Sequence, residues 1–401
     1  MQYHNPDVPA GEITDWTKSD MVGPFDAEFQ QHLADHGIRM PGRRWETGGL
    51  DELRSGLTGR RASLSSSQFS SGAFESVLED NEDGISELNI VTKVIPVLCG
   101  SAKIPNQQNM LFTEMEPVTK EGAVKPRPDF FDGARLLDLD KSIRDDPRVR
   151  RVVVPTKHFQ VPVAPNFFLE IKGSEGLWAV AQTQVCYYGA YGARAMHALQ
   201  NHGRADVVYD GDAYAFSAIY VSAPGMLTIY AHHVTAPTTT AEEGGAASRP
   251  VYHMTNVHTF CLMNTREGFV EGATAFRNIR DMARKRRDDI IREANARASE
   301  AAKTAAQVAT ATTTATAEVS VADASHHDSV PKDHSQKSGQ ESVVPGDDGA
   351  SMALAPSVRP DVAAAGPLPS KKRSRKSAGQ PSAPLDDNTS KRRMLRTTAR
   401  Q

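Results

Sequence analysis

The chain has 401 residues, 39% of them apolar and 24% charged, with a formal net charge of −3. No stretch approaches the roughly 20 apolar residues that a membrane-spanning helix requires. Cys99, Cys186 and Cys261 are far apart and form no CxxC pair, which argues against a zinc ribbon or a disulfide framework and predicts reduced thiols.

Charge is unevenly distributed. Residues 301–401 carry 14 Lys and Arg against 10 Asp and Glu, leaving 32 basic and 39 acidic side chains in the first 300. A mildly acidic body does not suit a protein that coats nucleic acid, but it is compatible with a carboxylate site beside local basic patches. The N-terminus, MQYHNPDVPAGEITDW, is polar and has no apolar signal segment. The prediction is a soluble, intracellular protein with no membrane association.

Residues 1–60 are rich in Gly, Pro and charge, have little periodicity, and read as a flexible, irregular arm. Ser70 or Ser71 then caps a predicted helix with Phe74, Val77 and Leu78 on one face. A second helix is predicted over GISELNIVTKVIPVLCG, with Leu88, Val91, Val94 and Ile95 at helical spacing, Pro96 ending or kinking it, and Glu87 beside the apolar stripe. MLFTEMEP (110–117) and the segment around Asp129 read as strands. A charged insert, LDLDKSIRDDPRVRR, separates them from VVVP and FFLEIKG. Residues 177–200 read as a long helix in which Ala179, Ala181, Gly189, Gly192 and Ala193 permit close packing. Strands follow at 215–222 and 227–234, joined by a turn at Pro224-Gly225. An extended strand is predicted at 251–263 and a long helix at 268–298, with Phe269, Ala273, Phe276 and Ile279 facing the core. From residue 299 the composition turns to Ala/Thr and then Ser/Pro/Asp, which predicts a disordered, low-complexity tail.

The chemistry concentrates in Phe167-Phe168-Leu169-Glu170-Ile171-Lys172-Gly173. Strand side chains alternate faces, so Glu170 and Lys172 share one face while Leu169 and Ile171 enter a core. Upstream, Asp129 follows Pro128 and precedes Phe130-Phe131. Mg²⁺ or Mn²⁺ commonly takes one or two carboxylates with water and phosphate oxygens. Asp129 and Glu170 are the candidate ligands, with the Ile171 carbonyl and Glu87 as additions. Lys172 is the group placed to orient or deprotonate an attacking water. Gln184 and Tyr188, four apart on the predicted helix, share a face.

Each feature has a plainer explanation. Glu-x-Lys on a strand is usually an ion pair on a solvated face, Asp after Pro a turn residue, and Gln-xxx-Tyr helix packing. The combination in order carries the argument. Forty residues separate Asp129 from Glu170, so the insert must leave the sheet and return. His232 and His233 are predicted on opposite strand faces, as are His253 and His258, so neither pair suits one metal. No P-loop, dinucleotide fingerprint or G-x-S-x-G is present.

Taken together, Asp129, Glu170-x-Lys172 and Gln184-xxx-Tyr188 resemble the core of a divergent PD-(D/E)XK nuclease, in the subset similar to RecB-type enzymes. The resemblance implies an α/β restriction-endonuclease-like domain, residues 61–298, with a mixed central sheet flanked by helices. Gln184 and Tyr188 would then both point at the site. SLSSSQFSSGAFESV, VIPVLCG, VAPNFFLEIKG, AVAQTQVCYYGAYGARAMHALQ, YAFSAIYVSAPGMLTIYAHHV and GATAFRNIRDMARKRRDDIIREAN also resemble an uncharacterised family of filamentous-fungal proteins.

In the tail, Lys371, Lys372, Arg373, Arg375 and Lys376 form one basic cluster, and Lys391, Arg392 and Arg393 another. In flexible chain they read as sites for a nuclear import receptor. Arg284-Lys285-Arg286-Arg287 on the last helix has two explanations, ion pairs with interleaved acids or contact with a phosphate backbone near the site. The favoured function is a Mg²⁺- or Mn²⁺-dependent nuclease acting on DNA or RNA, or a descendant of one. The alternative is a non-catalytic nuclear interaction protein on the same fold.

Overall fold

The computed structural model of the chain describes residues 21–42, 45–82, 87–119, 122–237 and 249–322. Seven strands form one mixed sheet: β1 (Ile38–Arg39), β2 (Asn106–Gln108), β3 (Phe130–Ala134), β4 (Val163–Lys172), β5 (Ala215–Val221), β6 (Met226–Thr235) and β7 (Val251–Cys261). Their order across the sheet is β1-β7-β6-β5-β4-β3-β2. The helices are α1 (Phe29–Asp35), α2 (Leu50–Leu57), α3 (Ser71–Glu82), α4 (Glu87–Cys99), α5 (Lys141–Asp145), α6 (Pro147–Val153), α7 (Trp178–Asn201) and α8 (Arg266–Ala322).

All ten residues of β4 are buried. A near-continuous apolar run suits a strand covered on both faces. Phe167, Leu169 and Ile171 pack with α2, α3, α4 and the start of α8, whereas Phe168 packs with α7, α6 and α1 on the other side. β4 runs antiparallel to β3 and parallel to β5. A parallel pair cannot be joined by a tight turn, and α7 is the crossover between them. β5 and β6 form the hairpin expected around Pro224-Gly225, and β7 extends it.

α7 lies close against the sheet because it presents glycine there. A Cβ added to Gly189 would stand 2.1 Å from the His232 ring, and one on Gly192 would stand 2.7 Å from Phe168. α3 begins after Ser70, whose Oγ accepts from the Ala73 N–H at 3.2 Å. Phe269, Ala273, Phe276 and Ile279 are fully covered on α8, as the helical spacing predicts.

Several expectations need correction. Residues 21–60 are not an irregular arm. α1, α2 and β1 lie there, β1 pairs with β7, and Phe29, Leu33, Ile38, Leu53 and Leu57 are core residues. MLFTEMEP forms no strand. Its N–H groups bond to Pro126, Pro155 and Arg151 carbonyls in turn, so no single neighbour aligns it, although Phe112 and Met115 are buried. VVVP ends α6 instead of forming an extended piece, because Asp146 accepts from the Arg148 N–H and Pro147 opens the helix. Leu88 is 69% exposed, and the buried stripe of α4 is Ile90, Val94, Ile95 and Leu98. Pro96 does not end that helix. The Thr92 carbonyl it cannot serve lies on the exposed side, within reach of water. α8 continues past residue 298 to Ala322, with Ala298 its last buried residue and residues 299–308 all exposed. The rest of the tail, including both basic clusters, lies outside the described residues. No helix among the described residues is long and apolar enough to cross a membrane.

The glycine at the α7–β6 contact gives a direct test. Gly189→Ala should destabilise the fold by about 1–3 kcal/mol through overpacking against His232. Urea unfolding would read this as a lowered midpoint at constant m, and an unchanged midpoint would contradict the packing.

Candidate functional site

Glu170 and Lys172 sit at the carboxyl end of β4, on the face towards α7. In open α/β sheets, ligands characteristically bind outside the carboxyl ends of strands. Continuing the β3–β4 register places Asp129 opposite Glu170, since Phe130 pairs with Leu169 and Phe131 with Phe168. The Ile171 N–H donates to Asp129 Oδ2 at 2.8 Å, which holds this carboxylate beside the strand end. Lys172 Nζ donates to Glu170 Oε1 at 2.8 Å and stands 3.7 Å from Glu87 Oε1 at the start of α4. Glu170 Oε2 is buried with no hydrogen-bond partner.

The turn after β4 closes over the lysine. The Gly176 N–H donates to the Gly173 carbonyl at 3.1 Å, and a Cβ on Gly176 would fall 2.6 Å from Lys172 Cβ. From α7, Gln184 Nε2 donates to the Tyr188 hydroxyl at 3.4 Å, and that hydroxyl donates to the Arg127 carbonyl at 3.3 Å. Gln184 Oε1 is a second buried atom without a partner.

The electrostatics follow from burial and crowding. Burial, then the Asp129 carboxylate, pushes Glu170 up to about 8, against the pull of Lys172. Asp129 is also raised by burial, partly offset by the Ile171 N–H and Lys172. Burial opposes the charge of Lys172, but Glu170, Asp129 and Glu87 outweigh it and hold the ammonium above its ordinary value. Burial and then Glu170 push the Tyr188 hydroxyl well above its usual range. Burial leads in three of these shifts, and the crowded carboxylates add to it at Glu170 and Tyr188 and reverse it at Lys172.

The structure thus brings together Asp129, Glu170, Lys172, Gln184 and Tyr188. Glu87 joins through Lys172 and is half exposed. Among the described residues, no three His, Cys, Asp or Glu side chains form a ready-made metal cage. The donor set still suits a hard divalent cation that keeps several waters, because two carboxylates meet in a dry place and one oxygen is bare. The basic run on α8 is not part of this site. Arg287 is buried and donates to Asn166 Oδ1 at 2.7 Å, Lys285 pairs with Asp289 at 2.7 Å, and Arg286 donates to the Ala213 carbonyl. Asn166 is six residues from Lys172 along β4, roughly 20 Å at strand rise. The phosphate-contact reading of this cluster near the site is therefore set aside.

Sequence reasoning also missed a buried ion pair. Arg280 of α8 grips Asp132 of β3 through two hydrogen bonds of 2.8 Å, its guanidinium lying among Phe130, Phe167 and Phe276. No family model, curated protein or solved structure matches the chain.

The histidines form a separate group. His232 Nε2 meets Ser217 Oγ at 2.7 Å, while His233 stacks on His253 across β6–β7 with ring centroids 4.8 Å apart. Burial pushes His232 down to about 3; it also pushes His233 down to about 4 despite Asp210, and His253 to about 4 with help from His233 and Arg39. A histidine kept neutral in the fold contributes stability that is complete above its unfolded pKa of about 6.5 and is lost as pH falls towards the folded value. Thermal unfolding of the native protein should therefore lose stability between about pH 6.5 and 4 more steeply than that of His233→Gln. Parallel profiles would contradict this.

Proposed function

We propose that this chain is a divalent-metal-dependent phosphodiesterase of the PD-(D/E)XK type acting on DNA or RNA, or a descendant of one. The observation that carries the reading is the bare Glu170 Oε2 in a buried pocket shared with Asp129 and Lys172. The order of elements supports it: a helix bearing Glu87, a strand preceded by Asp129, a strand ending in Glu170-x-Lys172, then a helix bearing Gln184-xxx-Tyr188. The restriction-endonuclease-like assignment of the mixed sheet belongs to this same proposal.

In this reading Asp129 and Glu170 hold the cation, with the Ile171 carbonyl beside them. Bound Mg²⁺ or Mn²⁺ would supply charge neutralisation at the phosphate and a more acidic water. Lys172 orients the attacking water, and its ammonium offsets charge on the pentavalent phosphate. Tyr188 and Gln184 close the α7 side, where the free Gln184 Oε1 can accept from a water or from a nucleotide donor. Burial strengthens each of these interactions by excluding solvent.

A second reading has an observation of its own. Lys172 is satisfied by both Glu170 and Glu87, as a purely structural ion pair would be. That favours a non-catalytic binding protein on the same fold. Nuclear import through Lys371–Lys376 and Lys391–Arg393 rests on the sequence alone in either case.

Cleavage of end-labelled single- and double-stranded DNA and RNA with Mg²⁺ or Mn²⁺ tests the proposal. Metal-dependent cutting should fall by about 10²–10⁴-fold in Lys172→Ala that circular dichroism shows to be folded. No cutting by the native protein would favour the binding protein, and equal cutting by the variant would remove the role given to Lys172.

A further inference from the structure

A groove of about 380 Å³ opens on the α7 side of the site and shares Gln184 and Tyr188 with it. Its walls are two chain segments. One is residues 23–26, from the part of the chain whose sequence reads as an irregular arm. The other is residues 124–127, which lead directly through Pro128 to Asp129. The walls are tied to each other and to the fold. The Val22 N–H donates to the Gly122 carbonyl at 2.8 Å, the Val124 N–H returns a bond to the Val22 carbonyl at 3.0 Å, and the Tyr187 hydroxyl holds the Val124 carbonyl at 2.9 Å.

Three features of the groove point to one kind of occupant. Phe25 is 78% exposed at its edge, an aromatic ring offered to solvent. Lys125 and Arg127 line the same wall, Lys125 anchored on the Thr113 carbonyl at 2.8 Å and Arg127 on the Asn109 carbonyl at 3.4 Å. Asp26, the acid of the lining, is turned to its own loop and accepts from the Gly23 N–H at 2.7 Å. Finally, Gln184, more than nine-tenths buried and with its Oε1 unpartnered, is one of the residues that line the groove. A flat aromatic surface, two cations along a wall and an inner hydrogen-bond acceptor suit an unpaired nucleotide. The base stacks, the phosphates follow the cations, and an N–H or hydroxyl meets the acceptor.

We propose that this groove seats one unpaired nucleotide beside the scissile phosphate, so that the protein engages single-stranded nucleic acid or a frayed end in preference to intact duplex. The inference rests on the phosphodiesterase reading for its position in the reaction, but not for binding itself. In a duplex the faces of each base are covered by stacked neighbours and its edge by its partner, so no base is free to reach Phe25. Arg127 lies two residues before Asp129, and the Tyr188 hydroxyl binds its carbonyl. A strand lying on Lys125 and Arg127 is thereby led towards the carboxylates. Volume agrees with a single small ligand, since such pockets begin near 300 Å³.

The test is binding of the full chain to fluorescein-labelled 12-nucleotide DNA and RNA single strands and to a blunt duplex, by anisotropy in EDTA. Single strands should bind more tightly than duplex. Phe25→Ala should weaken single-strand binding by about 5- to 150-fold, and Phe25→Trp should restore it. Arg127→Ala should weaken binding and flatten its salt dependence. Phe25 is exposed, so its loss leaves the core intact. Equal affinity for duplex, or no effect of Phe25→Ala, would overturn the groove assignment even if the protein cuts DNA or RNA. Phe25-dependent binding without cleavage at any metal concentration would support the groove while removing the phosphodiesterase reading. The better-bound single strand, DNA or RNA, identifies the polymer.

Discussion

The structure turns on a charged pair placed where charge is costly. β4 is buried along its whole length, yet it ends in Glu170 and Lys172, and Asp129 is held against the same end. A buried ion pair seldom repays its desolvation when it could be replaced by apolar side chains of similar shape. Here the cost is greater, because a second carboxylate shares the pocket and one oxygen of Glu170 has no partner. Such an arrangement is a poor device for stability alone. It is a good one for holding a cation and a water, the role assigned to it above.

The rest of the fold positions that pair. Two core clusters grip β4 from opposite faces, so the strand end has little freedom to move. α7 approaches closely through Gly189 and Gly192, bringing Gln184 and Tyr188 over the site. α3 and α4 are clasped to the neighbouring strand ends. Asn81 binds the Ser222 carbonyl and the Tyr220 hydroxyl, and Asp80 pairs with Lys93, which sets Glu87 at the rim. On the far side, Asp132–Arg280 and Asn166–Arg287 fasten α8 to β3 and β4. The Asp132–Arg280 pair on the far side is doubly hydrogen-bonded, whereas Glu170 at the other end keeps a bare oxygen.

Much of this was legible from sequence where the local signal was strong. The apolar run before Glu170 marked β4, the small-residue spacing marked α7, and Pro224-Gly225 marked the β5–β6 hairpin. What was not legible depended on partners distant in the chain. Residues 21–60 have weak periodicity because α1 is seven residues long and β1 two, and both rely on α7 and β7 for cover. Phe25, Lys125 and Arg127 become a groove only when those segments meet. Asp132 and Arg280 are 148 positions apart, and nothing local in either predicts the other. The α6 start was readable in principle, since Asp146-Pro147 is a helix-opening pair. The valines that follow, with their preference for strands, drew the reading the other way.

The claim on which the account rests is that the Asp129–Glu170 pocket takes a divalent cation. Titrating Mn²⁺ into the native protein and into Glu170→Gln, with electron paramagnetic resonance reporting the free aqueous ion, addresses it without reference to any substrate. The account predicts one Mn²⁺ bound by the native protein, displaced by Mg²⁺, with affinity lowered by at least about tenfold in the variant. A native protein that leaves all of the Mn²⁺ free, or a variant that binds it equally well, would contradict the account.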